Sequence, residues 1–413
     1  MIKTQNLLLL CGGKSAEHEI SIRSARSVAG GVYTLNESQI LIESIKDISQ
    51  VAELVAFDQL NSDSRILYNL HVVIISRSGT WYWLDNHDDL SKITQCDDVS
   101  LYGNICTLIR NVDQTMLIKL AKVGDEQYIQ EIGTRIDLVF PVLHGPMGED
   151  GTVQGLLEMM ELPYVGSDVL SSAIGMNKRI MKQCFIDSNL PVPAYISGNR
   201  DAISQISYKE IIQELDSNII FVKPATLGSS IGISKVYNEI EYLTAVEMAF
   251  KYDKEIIIEK YIECREIECA VLENLEIGDS EFETPVPTAS VLGEIIPNHD
   301  FYSYEAKYID PNGAELQIPA LIATDIAENI QDLAIKAFMA VRASGMARVD
   351  IFIEKKTNQI YINEINTIPG FTSISMYPKL CEESGIAFPI LIQKLLETAL
   401  LKYQTKNALC LYQ

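Results

Sequence analysis

The stretch ARVDIFIEKKTNQIYINEINTIPG, residues 347–370, carries the clearest structural signal in the chain. Hydrophobic and polar residues alternate on both sides of a short polar break, Lys356-Thr357-Asn358. Alternation with a period of two around such a break predicts a β-hairpin. A three-residue loop requires a left-handed backbone at its last residue, which Asn358 tolerates better than most residue types.

Pairing the two strands around Thr357 brings two acidic side chains face to face. Asp350 lies opposite Glu364, and Asn366 follows Glu364 on the same face. Two like charges directly across a hairpin repel each other. Mg2+ converts that repulsion into binding, because it takes oxygen ligands and usually one or two carboxylates together with substrate phosphates. The hairpin therefore predicts a magnesium site.

A solvated acidic edge is the alternative explanation of these carboxylates. The same register, however, places Phe352 and Ile362 on the acidic face and pairs Arg348 with Asn366. A face that combines apolar, basic and acidic side chains is not a simple solvated edge. We therefore favour the metal site.

Composition limits the classes of partner. The chain has 413 residues, of which 47% are hydrophobic and 22% charged, as in a globular protein with two or three domains. Its 33 Lys and Arg against 56 Asp and Glu give a net charge of −23. This negative field opposes non-specific binding to nucleic acid and to anionic membranes. An anionic nucleotide would need local clusters of Lys and Arg.

The eight cysteines are scattered, and no two have the spacing of a metal knuckle. They are typical of reduced thiols in the cytosol. The apolar run after Lys3 is too short for a signal peptide and is better explained as a first strand. No stretch reaches the length of a membrane span.

The N-terminal sequence predicts a strand, a glycine turn and a helix, as in a nucleotide-binding fold. Residues 7–11 form a continuous apolar run, Gly12-Gly13 break it, and a helical pattern follows with Ser15 as its N-cap. Glu17 then lies in the first turn, where the helix dipole alone would favour a carboxylate. The turn lacks a GxGxxG motif, so it does not identify a dinucleotide site.

Further motifs follow before the first domain boundary. Residues 32–70 show little periodicity and are interpreted as an insertion or a peripheral helix pair. A second buried strand, residues 136–143, ends at His144, at the rim where ligands bind in open α/β sheets. One long helix is predicted over 168–188, and the prolines that follow it mark a domain boundary.

The next segments suggest nucleotide binding. Residues 219–222 form a strand, and Lys223 precedes a Gly/Ser-rich loop, residues 226–232, whose backbone N–H groups could converge on phosphate oxygens. A flexible turn is the simpler alternative. Glu259 and Lys260 follow the Ile-Ile-Ile run of another strand, where they suit the edge of a purine and a ribose. The Tyr-rich loop 299–313 is interpreted as an active-site lid.

In this order the motifs resemble the ATP-grasp superfamily and, within it, the D-alanine–D-alanine ligases. The matching stretches are GGKSAEHEIS, FPVLHGPMGEDGTVQG, FVKPATLGSSIGISK, IIIEKYIE, FYSYEAKY, RVDIF and INEINTIPGFTSISMYP. The resemblance implies a mixed α/β chain with an ATP-grasp fold and an N-terminal Rossmann-like domain. The expected domains are a substrate domain (1–167), a central ATP-grasp subdomain (168–250) and a C-terminal ATP-grasp subdomain (251–413) with the lid and the metal site.

The resemblance also implies a reaction. ATP phosphorylates the carboxylate of a first D-alanine, and the amine of a second attacks the acyl phosphate, so that the site must screen phosphate charge and stabilise an oxyanion. Two Mg2+ (or Mn2+) ions are expected on Asp350, Glu364 and Asn366. The residues expected at ATP are Lys178, Lys223, Glu259, Lys260, Ile262, Glu266 and Lys307. Those expected at the substrates and the reacting groups are Glu17, His144, Ser229, Tyr308, Arg348, Gly370, Ser375 and Met376, with Glu17, Ser229 and Tyr308 linked by hydrogen bonds.

Alternative functions remain at this point. The retained Tyr308 favours D-alanine as second substrate, with D-Ala–D-Ser or D-Ala–D-lactate ligation as the near alternatives. A Rossmann oxidoreductase that uses Gly12-Gly13 is disfavoured by the missing motif, and a catalytically silent nucleotide-binding module by the intact metal residues. The resemblance further implies a cytoplasmic homodimer that binds only small molecules, with no nucleic-acid or membrane partner.

Overall fold

The computed structural model describes most of the chain as two compact units. The described residues are 3–44, 66–93, 99–123, 127–274, 285–297 and 314–408. The first unit contains Met1–Val169, Leu272–Thr288 and Ile368–Gln413. The second contains Leu170–Val271 and Ala289–Thr367. The expected three-domain division stays a prediction, although residues from Ile368 onward belong to the first unit.

The first unit is built on a seven-stranded sheet with the order β6-β5-β4-β3-β2-β1-β7. Strand β1, next to the edge strand β7, pairs in parallel with β2 and β7, whereas the strands from β2 to β6 pair antiparallel. The strands are β1 (Lys3–Gly12), β2 (Ile66–Ile75), β3 (Trp81–Leu84), β4 (Gly103–Arg110), β5 (Thr115–Val123), β6 (Gln127–Arg135) and β7 (Leu138–Pro141).

Helices complete the first unit. They are α1 (His18–Ser44), α2 (Val99–Tyr102), α3 (Thr152–Met159), α10 (Met376–Glu383) and α11 (Phe388–Ala408), together with the 3₁₀ helix His87–Ser91. The apolar run at 7–11 is fully buried, as expected of a strand covered on both faces. Ser15 lies three residues before α1, and its Oγ accepts a hydrogen bond from the Glu17 N–H at 3.0 Å, so Glu17 and not Ser15 is the residue that directly precedes the helix.

The interpretation of 32–70 as an insertion was wrong at both ends. Helix α1 continues through residue 44 and buries Val32, Leu35 and Gln39. Strand β2 begins at Ile66 and buries Tyr68. Within this range only residues 45–65 lie outside the described part of the chain. The buried side chains at 32, 35 and 39 follow helical spacing, which the polar residues between them hid.

The second unit contains two further sheets. The four-stranded sheet has the order β10-β9-β11-β8, and the five-stranded sheet has the order β14-β13-β12-β15-β16. Strand β11 pairs antiparallel with β8 and β9, as β15 does with β16. The strands are β8 (Tyr195–Asn199), β9 (Ile220–Pro224), β10 (Ser234–Val236), β11 (Glu255–Lys260), β12 (Cys264–Asn274), β13 (Val286–Pro297), β14 (Ala314–Gln317), β15 (Met346–Glu354) and β16 (Ile360–Asn366).

Six helices pack around these sheets among the described residues, and two of them replace the single helix predicted over 168–188. They are α4 (Val169–Met176), α5 (Lys178–Asp187), α6 (Arg200–Ser204), α7 (Tyr208–Glu214), α8 (Glu239–Ala249) and α9 (Thr324–Ala340). The single helix predicted over 168–188 was wrong, because Asn177 is extended and interrupts it. Its side chain accepts hydrogen bonds from the N–H groups of Arg179 and Ile180, so that it caps a new helix.

The hairpin of β15 and β16 confirms the predicted register near its open end. Asp350 pairs with Glu364 and Arg348 with Asn366, and Asn358 has the expected left-handed backbone at φ 57°. The register then shifts by one residue at Asn363.

This β-bulge corrects the predicted composition of the acidic face. Ile362 pairs with Ile351 and lies in the core, whereas Phe352 pairs with Tyr361 and is half-buried. Ile362 and Phe352 therefore do not share a face as predicted, because the extra residue of a bulge turns the following side chains over.

No single helix among the described residues is long and apolar enough to cross a membrane. The bent pair α10 and α11 meets the length and composition requirements only when its two helices are taken together, with a turn of 103° between them.

Candidate active site

The open end of the β15–β16 hairpin carries a connected set of charged and polar side chains. Arg348 donates two parallel hydrogen bonds to the Asp350 carboxylate, each 2.7 Å long. Asn366, opposite Arg348, donates from its side-chain amide to Asp350 Oδ2 at 3.1 Å. Bidentate pairs of this kind fix both the position and the orientation of a guanidinium. The strand register thus places an oriented cation among the predicted metal ligands.

Glu268 on β12 is a second partner of this guanidinium. Its carboxylate lies 3.0 Å from Arg348 Nε and is buried, with 8% of the side chain exposed. The sequence reasoning missed Glu268. The sequence feature that could have identified Glu268 is its position between Ile267 and Cys269, which are both buried. An acidic residue within an apolar strand needs a partner.

The predicted metal ligands fit the chemistry of a hard divalent cation. Asp350 and Glu364 are directly opposed on the hairpin and Asn366 lies two residues beyond, so the set offers two carboxylates and one amide oxygen. Both carboxylates are partly accessible, with side-chain exposures of 15% and 28%. Among the described residues no group of three or more His, Cys, Asp or Glu side chains could hold a metal ion, so the predicted site depends on the Asn366 amide as its third ligand.

A buried cluster of two lysines around one glutamate lies in the second unit. Glu259 on β11 binds the Lys182 ammonium at 2.9 Å through Oε1 and the Lys223 ammonium through Oε2. Burial alone would raise the pKa of Glu259, but the two cations outweigh it and lower that pKa to about 2. The carboxylate is therefore ionised at neutral pH.

Lys182 was not identified from the sequence, whereas Lys178 and Lys223 were. Lys182 follows the core residue Met181 on helix α5, and its side chain is 1% exposed. Burial is the main cause of its lowered pKa, and it outweighs the attraction of Glu259. A lysine in a helical segment is normally expected on the solvent face, so no pattern in the sequence predicts that Lys182 is buried.

Lys178 connects the Gly/Ser loop to the hairpin. Its ammonium donates to the Leu227 carbonyl at 2.5 Å and lies 3.8 Å from Glu364 Oε2. Three loop residues have left-handed backbones, Ser229, Ser230 and Gly232, with φ of 52°, 59° and 70°. Successive unusual backbone conformations of this kind orient N–H groups towards anions.

The start of the same loop is fixed by Asp253. Its Oδ2 accepts from the Thr226 N–H at 2.7 Å and from the Thr226 hydroxyl at 2.6 Å. Its Oδ1 accepts from the Glu255 N–H at the beginning of β11. The loop is therefore tied to the strand that supplies Glu259.

The other residues expected at the nucleotide lie around β11. Lys260 is half-exposed and lies 3.8 Å from the exposed Asp216, while Ile262 is buried and Glu266 half-buried. Their predicted roles toward adenine and ribose stay predictions. Lys307 and Tyr308, with the whole predicted lid loop 299–313, lie outside the described residues.

The first unit holds the residues expected at the amino acid substrates. Glu17 is buried at the N-terminus of α1, where the helix dipole favours its negative charge. Gly145 has φ +78°, and a Cβ there would lie 2.8 Å from Glu17 Oε2 and 2.7 Å from Ser15 Oγ. The left-handed backbone at residue 145 favours glycine, and a Cβ there would displace the Glu17 carboxylate from its position beside the loop that follows His144.

His144 is buried and held by Ser24 on α1. The Ser24 hydroxyl lies 3.0 Å from His144 Nε2 and accepts a hydrogen bond from the Phe371 N–H at 3.2 Å. Ser24 thus joins two stretches that the sequence identified separately, the one ending at His144 and the one containing Gly370. The sequence reasoning assigned no role to Ser24.

Gly370 and Ser375 are close neighbours in the first unit. A Cβ at Gly370 would lie 2.7 Å from Ser375 Oγ. That hydroxyl accepts from the Thr372 N–H at 3.1 Å and lies 2.7 Å from the Thr372 hydroxyl. Met376 follows as the first residue of α10 and is 5% exposed. Within the first unit the structure therefore brings Gly370, predicted at the oxyanion, close to the predicted second-substrate residues Ser375 and Met376.

Comparison with known proteins decides the family. The model of the D-ala D-ala ligase N-terminus matches residues 6–167, and that of the D-ala D-ala ligase C-terminus matches residues 185–397. The chain belongs to the D-alanine–D-alanine ligase family. A D-alanine–D-alanine ligase of Acetivibrio thermocellus is 40% identical over 97% of this chain and 96% of its own length. D-alanine–D-alanine ligase A of Salmonella typhimurium is 37% identical, with 97% of each chain covered.

Solved structures of the family agree with this assignment. The D-alanine–D-alanine ligase from Coxiella burnetii has a TM-score of 0.76 at 32% identity and covers 98% of this chain and 96% of its own. The VanG D-Ala:D-Ser ligase from Enterococcus faecalis has a TM-score of 0.73 at 30% identity, with coverages of 96% and 100%. The resemblance and the ATP-grasp fold expected from the sequence are confirmed.

Proposed function

We propose that this chain joins two D-alanine molecules at the expense of ATP and that the residues assembled above perform the reaction. The enzyme class follows from family membership over nearly the full length of the chain. The observation that carries the residue assignment is the hairpin, whose register sets Arg348 and Asp350 opposite Asn366 and Glu364. No other described segment combines a bidentate guanidinium with two opposed carboxylates and an amide.

The second unit supplies the groups proposed to hold ATP. Lys178 and Lys223 screen the phosphates, and the backbone N–H groups around Ser229 surround them. Glu259, Lys260, Ile262 and Glu266 hold adenine and ribose. Asp350, Glu364 and Asn366 hold two divalent ions, which when bound would neutralise the phosphate charge that develops during transfer.

The first unit supplies the groups proposed to hold the amino acids. Glu17 receives the ammonium of the first D-alanine, with His144 beside it. Ser375 binds the carboxylate of the second D-alanine, which Met376 helps to enclose.

Arg348 and the Gly370 N–H are proposed to stabilise the oxyanion that forms when the amine attacks the acyl phosphate. Tyr308 and Lys307 complete the proposed set by family resemblance, with Tyr308 linked to Glu17 and Ser229.

Amino-acid-dependent ADP formation tests this function. The enzyme is incubated with ATP and Mg2+ and a panel of D- and L-amino acids, and the product is identified by mass spectrometry. We expect ADP release that requires D-alanine and yields D-alanyl-D-alanine. Release with L-alanine alone, or none with any amino acid, would contradict the proposal.

The same assay distinguishes D-alanyl-D-alanine from two other possible products and from an inactive nucleotide-binding module. The structural likeness to a D-Ala:D-Ser ligase makes D-serine the most informative competitor, with D-lactate next. A mixed product at neutral pH with excess D-serine or D-lactate would revise the second substrate. A silent nucleotide-binding module would bind ATP without turnover in any mixture.

We further propose that the enzyme is a cytoplasmic homodimer that uses only small-molecule substrates. ATP and the precursors of peptidoglycan are cytoplasmic metabolites, and the net charge of −23 disfavours nucleic acid as a partner. Sedimentation velocity over a tenfold range of protein concentration would distinguish a dimer from a monomer.

A further inference from the structure

Lys182 is a buried cation to which the proposed chemistry gives no task. Its ammonium lies 2.9 Å from Glu259 Oε1 and donates to the Asn363 carbonyl at 3.2 Å. It is nearly inaccessible, with 1% of the side chain exposed, whereas 11% of the Lys223 side chain is exposed. Lys223 is therefore the more accessible of the two lysines.

The two lysines of the cluster share their nearest carboxylate. Glu364 adds attraction to both ammonium groups and Glu266 adds attraction to that of Lys223, but one ammonium is enough to neutralise one carboxylate. Glu259 nevertheless holds two, one on each oxygen. The second lysine, Lys182, has a role if Lys223 must leave Glu259 when a more negatively charged ligand binds.

We propose that Lys182 is a positioning residue that neutralises Glu259 and thereby leaves the Lys223 ammonium available for the phosphates of ATP. The inference rests on the proposed role of Lys223 as a phosphate ligand. With Lys182 in place, Lys223 exchanges the carboxylate for phosphate oxygens while Glu259 remains paired. Without Lys182, the same exchange leaves a buried carboxylate alone, and Lys223 is retained by Glu259.

A second contact joins Lys182 to the metal hairpin. Asn363, whose carbonyl accepts from Lys182, is the extra residue of the β16 bulge and precedes Glu364. Lys182 therefore connects the nucleotide strand β11 to the residue next to a predicted metal ligand. Its charge acts on Glu259, and its hydrogen bond supports the bulge, so two substitutions separate these effects.

Nucleotide binding by calorimetry tests the charge effect. Lys182→Met removes both charge and hydrogen bond, whereas Lys182→Gln removes the charge and keeps a donor for the Asn363 carbonyl. We expect both to weaken ATP binding at least tenfold while adenosine binding changes less than threefold. ATP affinity unchanged in Lys182→Gln, or equal losses for ATP and adenosine, would overturn the proposal.

Arg179→Met is the matched control. Arg179 lies on the same helix and binds a carboxylate of the same strand, Glu255, at 2.7 Å, but its side chain is 44% exposed. We expect its ATP affinity to stay within twofold of wild type. The same loss in Arg179→Met as in Lys182→Met would overturn a specific role for Lys182.

The double variant Lys182→Met, Glu259→Gln adds a readout that a structural role would not move. With both charges removed, Lys223 has no carboxylate to hold it, so we expect the ratio of ATP to adenosine affinity to recover above that of Lys182→Met alone. A ratio no higher than in Lys182→Met would contradict the inference. Because binding is measured without turnover, an absence of D-alanine-dependent ADP release in wild type would count against the proposed function and not against this inference.

Discussion

Replacing Glu259 by glutamine should destabilise the protein markedly, because it removes the carboxylate that contacts two buried ammonium groups. The pKa of Glu259 falls from 4.5 to about 2 in the folded protein, despite the opposing effect of burial. A tenfold change in acidity corresponds to about 1.4 kcal/mol, so the ionised carboxylate contributes about 3 kcal/mol. Measured losses on breaking a buried ion pair are of the same size, about 3–5 kcal/mol.

The sign of the pH dependence follows from the lowered pKa. A carboxylate that is more acidic when folded stabilises the protein above its unfolded pKa, near 4.5, and this contribution disappears as the pH falls towards 2. The part of the difference between wild type and Glu259→Gln that comes from the Glu259 carboxylate should thus be complete above about pH 5. It should shrink progressively below pH 4.

Urea unfolding followed by circular dichroism measures this difference. Glu263→Gln is the control, since Glu263 is exposed and lies four residues further along, and we expect it to cost less than about 0.5 kcal/mol. A loss below about 1 kcal/mol for Glu259→Gln at pH 7 would refute the ion-pair argument. A loss that is the same at pH 7 and pH 3 would refute it too.

Three further outcomes are expected. Asp350→Asn should lower ADP formation at least about a hundredfold in steady-state assays, as it removes a metal ligand and a partner of the guanidinium, and activity within tenfold of wild type would contradict its assignment. Thr226→Val removes one of the two hydrogen bonds to Asp253 and should raise the KM for ATP several-fold with little change in kcat; a change in kcat alone would argue against loop anchoring. Ile362→Ala should cost about 2–5 kcal/mol in urea unfolding because the side chain is fully buried beyond the bulge, against less than about 0.5 kcal/mol for Ile374→Ala at a 62% exposed position; similar losses would contradict the register.

The sequence predicted the hairpin well because its signals are local. The alternation before and after Thr357 fixed both strands, and Asn358 fixed the turn. The spacing of isoleucines in β16 also reflects the bulge. Ile362 and Ile365 are both buried and three residues apart, which a regular strand with a period of two does not allow.

The buried ion cluster could not be predicted in the same way. Lys182, Lys223 and Glu259 come from a helix and two strands that are far apart in sequence, and their meeting depends on tertiary packing. Local patterns place lysines and glutamates at the surface unless paired, and the pairing is visible only in the structure. Glu268 was missed for this reason as well.

The sequence motifs predicted the candidate site residues of the first unit but not the residue that holds them in place. Glu17, His144, Gly370 and Ser375 were identified by resemblance. Ser24, which joins His144 to the chain beside Gly370, lies in the middle of a helical pattern and shows no local signal of its role.

A crystal structure with ADP and magnesium tests the central claim most directly. We predict that oxygen atoms of Asp350, Glu364 and Asn366 lie about 2.1 Å from magnesium, which also contacts the phosphates of ADP. Bound ADP with these three side chains turned away from it and hydrated by bulk solvent would contradict the account.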